Sequence, residues 1–278
     1  MPSVSVPAFA KINLALKVLQ KRADNYHEIR TIFQTISVHD TLQIDYRPAR
    51  RTKVVLASTV DIPDNIVVKA ANHVLQEMKA HAEVSISLTK RIPMGGGLGG
   101  GSSDAAAVLR TLPVLAGQRI GMERMVELAA ALGSDVPFVM LGGTALGLGR
   151  GEELYPYPEP RRTFGLLVTP EIHVSTPEAY RALVRGISPP PVGSPCVLYE
   201  NDFEAAVFHM HPLLAKLKKR LLGAGARVAL MTGSGAALFG LFPSKSAARM
   251  AQSQFPDIRA TVFDTLNRSR YLSLTNPT

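Results

Sequence analysis

The sequence predicts an α+β fold of two domains, over residues 1–158 and 159–278, and three features support this prediction. Residues 3–18 alternate between apolar and polar side chains, which is typical of a β-strand with one buried face. Six glycines at residues 95–101 come directly before a run of helix formers. Prolines at positions 156, 158 and 160 interrupt the chain, as is typical of a linker. We therefore place the domain boundary in this proline-rich segment.

The composition indicates a globular protein with anionic partners. The 278 residues are ample for a buried core, and 46% of them are hydrophobic. The formal net charge of +9 favours nucleic acid, a membrane surface or a phosphorylated small molecule as partner. The single cysteine, Cys196, excludes an internal disulfide and a cysteine-built zinc site. Neither a signal peptide nor an apolar run of about 20 residues is present, so we expect a cytoplasmic protein.

Before the glycine cluster, the pattern predicts strands and one helix. Strand patterns lie around residues 31–35 and at 41–46, 53–56 and 84–88, and a helix over 66–80 follows Asp64 as its N-cap. In the first strand, Lys11 and Asn13 are two residues apart, so their side chains share one face. That face is either exposed to solvent or part of a binding site, and the pattern alone leaves both interpretations open.

After the glycine cluster, helices and strands alternate to the end of the chain. A helix is predicted to begin at Ser175 or Thr176, with Pro177 in its first turn. The other predicted elements are, in chain order, helices over 102–115 and 122–132, a hairpin over 142–151, a strand over 164–168, a proline-rich loop over 188–195, a helical region over 201–222, and a hairpin followed by a helix over 245–254 and a strand over 260–263.

The glycine cluster is the strongest candidate for a ligand site. Glycine loses more backbone freedom on folding than any other residue, so such a cluster persists where φ is positive or a ligand approaches closely. Ser102, Ser103 and Asp104 are typical N-cap residues, and residues 105–109 favour a helix. The loop would therefore open onto free N–H groups at the positive end of a helix dipole, an arrangement that binds phosphate.

Three well-known phosphate-binding loops do not fit this segment. A Walker A loop requires a lysine before the serine pair, and none is present. Gly95, Gly97 and Gly100 match G-x-G-x-x-G, but residues 115–118 are L-A-G-Q where a Rossmann unit has its acidic residue. No H-R-D or D-F-G motif follows, as a protein kinase would require. A flexible turn before an ordinary helix is the remaining simple interpretation.

The segment P-M-G-G-G-L-G-G-G-S-S-D-A-A at residues 93–106 resembles the phosphate loop of the GHMP kinases. The common form of that loop, P-x-x-x-G-L-G-S-S-A, is shorter. The extra glycines are typical of the branch that phosphorylates 4-diphosphocytidyl-2-C-methyl-D-erythritol. A-K-I-N-L-A-L at residues 10–16 resembles the first family motif, and M-T-G-S-G-A-A-L-F-G at residues 231–240 resembles the third. Thr232 replaces the usual serine there and keeps the hydroxyl.

The resemblance implies the two-domain GHMP kinase fold, with a ribosomal protein S5 domain 2-like N-terminal domain, a ferredoxin-like α/β C-terminal domain and the active site in the cleft between them. Residues 1–158 would bind ATP and carry catalysis, and residues 159–278 would form the GHMP kinase C-terminal domain. ATP and Mg²⁺ are the expected cofactors, with no metal-ligand set assigned to the protein. The residues expected to hold ATP are Asn65, Pro93, Met94, Gly95, Gly96, Gly97, Leu98, Gly99, Gly100, Gly101, Ser102 and Ser103.

Asn65 matches a position of the family's adenine pocket. From the pattern alone it is a helix cap rather than a ligand contact.

The resemblance also implies which residues carry out the chemistry. Asp135, in G-S-D-V-P-F, would be the catalytic base. Its alternative role is that of a turn residue bonded to its own backbone. Lys11 would act beside Asp135, and Lys11 and Asn13 would line the acceptor site.

A cytosine-binding site is implied by a second set of residues. Tyr26 and Tyr180 would stack on opposite faces of the base, and His27 would form hydrogen bonds with its edge. Thr176 is assigned to the same site. Asn25 stands where the family usually has glycine, which is a mild change because asparagine tolerates positive φ well.

Two other functions compete with this prediction. A kinase or decarboxylase acting on homoserine or mevalonate would need no stacking platform, so Tyr26, His27 and Tyr180 argue against it. An RNA-binding module agrees with the basic charge and a fold shared with ribosomal proteins, and it predicts RNA binding that weakens steeply with salt. It leaves the glycine loop and Asp135 without a role. We therefore expect a small-molecule substrate, no nucleic-acid or membrane partner, and a monomer or weak homodimer.

Overall fold

Two β-sheets, each with helices packed against it, make up the part of the chain that the computed structural model describes, residues 2–183 and 199–276. The predicted proline-rich loop at 188–195 and Cys196 lie outside these residues. The architecture confirms the predicted α+β fold class.

The first sheet is built around one long strand. Its strands are β1 (Ser3–Lys21), β2 (His27–Pro48), β3 (Lys53–Ser58), β4 (Ala82–Thr89), β5 (Thr144–Leu148) and β6 (Glu153–Pro156). They lie in the order β3-β4-β2-β5-β6, and β1 pairs with β2. All these pairs are antiparallel except β3 with β4. β2 therefore pairs with β1, β4 and β5 and lies at the centre of this sheet.

Four helices belong to the first sheet: α1 (Ile66–Glu77), α2 (Gly100–Leu115), α3 (Met122–Leu132) and α4 (Val136–Leu141). Their apolar side chains and those of the sheet form one buried cluster. α3 has the predicted bounds and ends before Gly133. α4 was not predicted as a helix.

The sequence predicted two strands where the structure has the single β2. Asp40 interrupts the apolar alternation, which is why the pattern broke there. Its carboxylate is buried without penalty because Lys90 and the N–H groups of Arg91 and Ile92 donate to it. The strand can therefore continue through a charged residue.

Two predicted helix caps were wrong. α2 begins at Gly100 with Gly99 at the N-cap in a left-handed conformation, so Ser102, Ser103 and Asp104 lie inside its first turns. α1 is capped by Asn65, whose side chain accepts a hydrogen bond from the N–H of Val67 at 3.0 Å, rather than by Asp64. The expected capping role of Asn65 is thereby confirmed.

The second sheet has the strand order of a ferredoxin-like fold. Its strands are β7 (Phe164–Thr169), β8 (Val228–Met231), β9 (Leu238–Phe242) and β10 (Arg259–Asp264), in the antiparallel order β10-β7-β9-β8. The helices of this half are α5 (Thr176–Ala182), α6 (Phe203–Met210), α7 (Pro212–Gly223) and α8 (Lys245–Gln252). The single helical region predicted over 201–222 is two helices, because Pro212 lacks an N–H and disfavours helical backbone at His211.

The two halves share a buried apolar cluster that lies between the sheets. It contains Ile12 and Ile32 of the first sheet and Leu230 and Phe239 of the second. The last helix, α9 (Arg268–Thr275), returns to β1 of the first sheet. The boundary near residue 158 stays a prediction.

Candidate active site

A lysine–aspartate pair lies where β1 meets the start of α4. Lys11 extends from β1, and its Nζ is 3.3 Å from Oδ2 of Asp135. Asp135 is the N-cap of α4, but its side chain makes no capping hydrogen bond and remains 31% exposed. The Lys11 ammonium is buried, lies 5.2 Å from the ring centroid of Phe33 and donates to Oδ1 of Asn13 at 2.9 Å. The carboxylate is thus accessible while its counter-ion is fixed.

The glycine loop passes directly beside this pair. The backbone N–H of Lys11 donates to the carbonyl of Leu98 at 3.0 Å. Gly99 has φ of +67°, and a Cβ added there would lie 3.1 Å from Cγ of Lys11 and 3.6 Å from Oδ2 of Asp135. A side chain at Gly99 would therefore crowd Lys11 and touch Asp135. The structure brings together the start of α2, Lys11 and Asp135.

The third motif supports the loop from the second sheet. A Cβ at Gly97, where φ is +72°, would lie 2.3 Å from the carbonyl oxygen of Thr232. The hydroxyl of Thr232 and the N–H of Gly233 donate to Oδ1 of Asn13 at 3.2 Å and 3.0 Å. Nδ2 of Asn13 donates to the hydroxyl of Thr31 at 2.7 Å. Asn13 therefore joins the two halves next to Lys11.

The two loop serines have different surroundings. Ser103 is buried, and its hydroxyl contacts the carbonyl oxygens of Phe9 and Gly99 at 2.7 Å and 2.9 Å. It holds α2 against β1. Ser102 is half-buried, which leaves it better placed to reach a ligand.

A cleft of about 510 Å³ lies between the start of α1 and the segment that follows β3. Asn65, Val68 and Lys69 line it from α1, and Ser58, Val60 and Ile62 line it from the segment after β3. A Cβ at Gly101 would be 3.7 Å from Cγ2 of Ile66, so the glycine loop and α1 are neighbours. Asn65 thus both caps α1 and lines a cleft next to the loop.

A larger cleft of about 900 Å³ contains the predicted aromatic residues. Tyr26, His27, Thr176 and Tyr180 all line it. The hydroxyl of Thr176 is 2.9 Å from that of Ser234, which follows the third motif's Gly233. Burial raises the pKa of Tyr180, and the negative charge of Asp135 raises it further. Through Ser234 the cleft adjoins the third motif, whose Gly233 lies against Gly97 of the glycine loop.

The aromatic rings are not arranged as an open pair of tyrosines. His27 stacks on Tyr180 with ring centroids 4.7 Å apart and an interplanar angle of 18°. Tyr26 is 55% exposed and has the guanidinium of Arg150 over its ring at 4.9 Å. Asn25 has the expected positive φ of 68°. Burial lowers the pKa of His27, as does the positive charge of Lys21.

Sequence analysis missed a second charged cluster, formed by Asp40, Lys90 and Asp104. Nζ of Lys90 is 2.5 Å from Oδ2 of Asp40 and 2.8 Å from Oδ2 of Asp104, and all three side chains are buried. Burial raises the pKa of Asp104 to about 7 and nearby Asp40 adds to this effect, although Lys90 opposes it. The sequence signal for this cluster was Asp104, an acidic residue between the two serines and the apolar run of the helix.

Within residues 2–183 and 199–276, no group of three or more His, Cys, Asp or Glu side chains could hold a metal ion. In the same residues no helix is both long and apolar enough to span a membrane.

Comparisons with known proteins identify the family. The GHMP kinases N terminal domain matches residues 65–143, and the GHMP kinases C terminal domain matches residues 194–258. A Solibacter usitatus (strain Ellin6076) protein named 4-diphosphocytidyl-2-C-methyl-D-erythritol kinase is 47% identical, over 96% of this chain and 90% of the relative. A relative of the same name from Geobacter metallireducens is 38% identical, over 90% of this chain and 93% of its own length.

Solved structures agree with the sequence relatives. A crystal structure of 4-(cytidine 5'-diphospho)-2C-methyl-D-erythritol kinase superposes with a TM-score of 0.81 at 34% identity, covering 94% of this chain and 98% of the other. Homoserine kinase from Cytophaga hutchinsonii has a TM-score of 0.69 at 19% identity, over 100% of this chain and 97% of its own, and so shares the fold. The chain therefore belongs to the GHMP kinase family, in the group of the 4-diphosphocytidyl-2-C-methyl-D-erythritol kinases.

Proposed function

We propose that the chain transfers the γ-phosphoryl group of ATP to the 2-hydroxyl of 4-diphosphocytidyl-2-C-methyl-D-erythritol. A kinase of this family uses ATP as the donor. The observation that carries the proposal is the contact between the Lys11–Asp135 pair and the glycine loop, with the aromatic cleft beside it.

The glycine loop and α2 would hold the phosphates of ATP. The first N–H groups of α2 lack partners within the helix, and the helix dipole places partial positive charge at the same end. Phosphoryl transfer asks a protein mainly for positioning and charge neutralisation. The cleft lined by Asn65 would take the adenine of the same nucleotide, because Ile66, the residue after Asn65, neighbours Gly101 at the start of α2.

Asp135 would act as general base on the acceptor alcohol. An alcohol is a weak nucleophile at neutral pH, and a positioned base contributes about 10²- to 10⁴-fold to the rate. The carboxylate takes the hydroxyl proton while the acceptor oxygen bonds to the γ-phosphorus and the bond from that phosphorus to the ADP oxygen breaks. Lys11 lies 3.3 Å from this carboxylate and would offset negative charge on the acceptor oxygen.

Mg²⁺ would enter the site bound to the nucleotide. The ion usually keeps several waters and binds phosphate oxygens together with one or two protein groups. Ser102, half-buried at the start of α2, would be the protein ligand. When bound, Mg²⁺ neutralises charge on the transferred phosphoryl group.

The aromatic cleft supports a cytidine-containing acceptor. Stacking on an aromatic side chain contributes about 1–3 kcal/mol per base. His27 now stacks on Tyr180, so the base would enter by displacing His27 or by stacking on the exposed Tyr26. A cytoplasmic location and a monomer or weak homodimer remain parts of this proposal.

The test is an assay of ADP release by the purified protein with four acceptors: the cytidyl diphosphate alcohol, mevalonate, homoserine and galactose. We expect release that depends on the first acceptor alone. Comparable kcat/KM with mevalonate or homoserine would contradict the proposed acceptor while leaving the family assignment intact.

A further inference from the structure

The C-terminal helix α9 returns to the first sheet, where one tyrosine anchors it. Tyr271 is buried, and its hydroxyl donates to the backbone carbonyl of Val139 in α4. Its ring meets Phe9 of β1 edge-on with centroids 6.0 Å apart. The guanidinium of Arg110 in α2 lies 5.1 Å from the centre of the same ring. A single side chain therefore contacts β1, α2 and α4.

These three elements are the ones that present the active site. Phe9 is two residues before Lys11 on β1. Val139 is four residues, about one helical turn, after Asp135. α2 begins in the glycine loop. The hydroxyl of Ser103 in α2 donates to the carbonyl of Phe9 in β1, and both Ser103 and Tyr271 line one small cavity.

The far end of α4 is fitted closely to the tyrosine ring. Gly142 is the C-cap of α4, and a Cβ added there would lie 2.0 Å from Cδ1 of Tyr271. α4 has only 6 residues, so a shift at its C-terminus is passed to Asp135 at its N-cap. Packed elements of this kind move as units rather than deforming.

We propose that Tyr271 is a positioning residue for phosphoryl transfer, which sets the placement of Asp135 relative to Lys11 and the glycine loop by holding α4 against β1 and α2. The inference rests on the proposed function, because it takes Asp135 as the base. Tyr271 lines neither of the two clefts described above, so it acts through these elements.

The test compares Tyr271→Phe with Tyr46→Phe. Tyr46 is a matched control because it is also buried, but it lies on β2 in the core of the first half. For Tyr271→Phe we expect kcat to fall about tenfold, which corresponds to about 1.4 kcal/mol of transition-state stabilisation, with KM for ATP within twofold of the parent. Tyr46→Phe should leave kcat unchanged. Both variants are assayed well below their unfolding temperatures, so that only folded protein is compared.

A double-mutant cycle with Asp135→Asn separates positioning from general support of the fold. If Tyr271 acts through Asp135, Tyr271→Phe should cause no further loss of kcat once Asp135 is asparagine. Equal losses in both backgrounds, or an unchanged kcat in Tyr271→Phe alone, would overturn the inference. Should Tyr271→Phe fold poorly, Arg110→Met tests the same positioning role through the contact of the tyrosine ring with α2. Normal turnover of Asp135→Asn alone would instead contradict the proposed function.

Discussion

Two clusters of lysine and aspartate flank the glycine loop, and they differ in what is left exposed. In the first, Lys11 is buried while the side chain of Asp135 is 31% exposed. In the second, Lys90, Asp40 and Asp104 are 5%, 0% and 2% exposed. The first cluster keeps a carboxylate available for a substrate. The second cluster joins the end of β4 to β2 and α2. Lysine and aspartate therefore have a structural role where they are enclosed.

The two clusters also differ in their balance of positive and negative charges. The first cluster pairs one ammonium with one carboxylate, whereas the second has two carboxylates for one ammonium. Oδ1 of Asp104 is buried and has no hydrogen-bond partner among the described residues. Burial by itself would lower the pKa of Lys90, but hydrogen bonds and attraction to Asp104 and Asp40 raise it overall. Lys90 therefore keeps its charge through its two carboxylate partners rather than by contact with water.

The largest effect is expected in the first cluster. Lys11→Met removes the charge that stabilises the Asp135 carboxylate and the acceptor oxygen, so kcat should fall by about 10²- to 10⁴-fold. Steady-state rates and ATP affinity would be measured together. Unchanged kcat with a raised KM for the acceptor alone would make Lys11 a docking residue and remove the functional contrast between the clusters.

The next effect is expected in the stability of the second cluster. Lys90→Met leaves two carboxylates buried without a counter-ion, and breaking a buried ion pair costs about 3–5 kcal/mol. Urea unfolding of this variant would be compared with that of Lys53→Met, which changes an exposed lysine on β3 and should stay within about 0.5 kcal/mol. Equal free energies of unfolding for the two variants would show that the second cluster does not stabilise the fold.

A smaller effect should appear in the pH dependence of stability. Burial raises the pKa of the Asp104 carboxyl to about 7 in the folded protein, against an ordinary value of 3.8. The stability contributed by this group is therefore complete below pH 3.8 and is lost as the pH rises towards 7, by at most about 1.4 kcal/mol per pH unit. Asp104→Asn should flatten the free energy of unfolding between these pH values. Asp257→Asn, at an exposed ion pair, is the control and should leave the slope unchanged.

The elements with strong local patterns were predictable from the sequence. The alternation of β1 and the bounds of α3 follow from period and turn residues, whereas the ferredoxin-like fold of the second half was implied by the family resemblance. α4 could not be predicted, because residues 136–141 form a short apolar run with a proline and no capping hydrogen bond. The buried ion cluster was missed because its members, 40, 90 and 104, are distant in sequence and meet only through the sheet.

The candidate site was predictable only in part. The resemblance named Lys11, Asp135 and the glycine loop, which the structure places in contact. The stacking of His27 on Tyr180 and the return of α9 depend on how the two halves pack, which no local pattern records.

The most direct test makes the same change in each cluster. Asp135→Asn and Asp104→Asn each remove one carboxylate oxygen, and both should bind a non-hydrolysable ATP analogue with the affinity of the parent in calorimetric titrations. We expect kcat to fall by at least about 10²-fold in Asp135→Asn and to stay within about threefold of the parent in Asp104→Asn. Near-normal turnover of Asp135→Asn, or an equal loss in both variants, would contradict the assignment of Asp135 as the base.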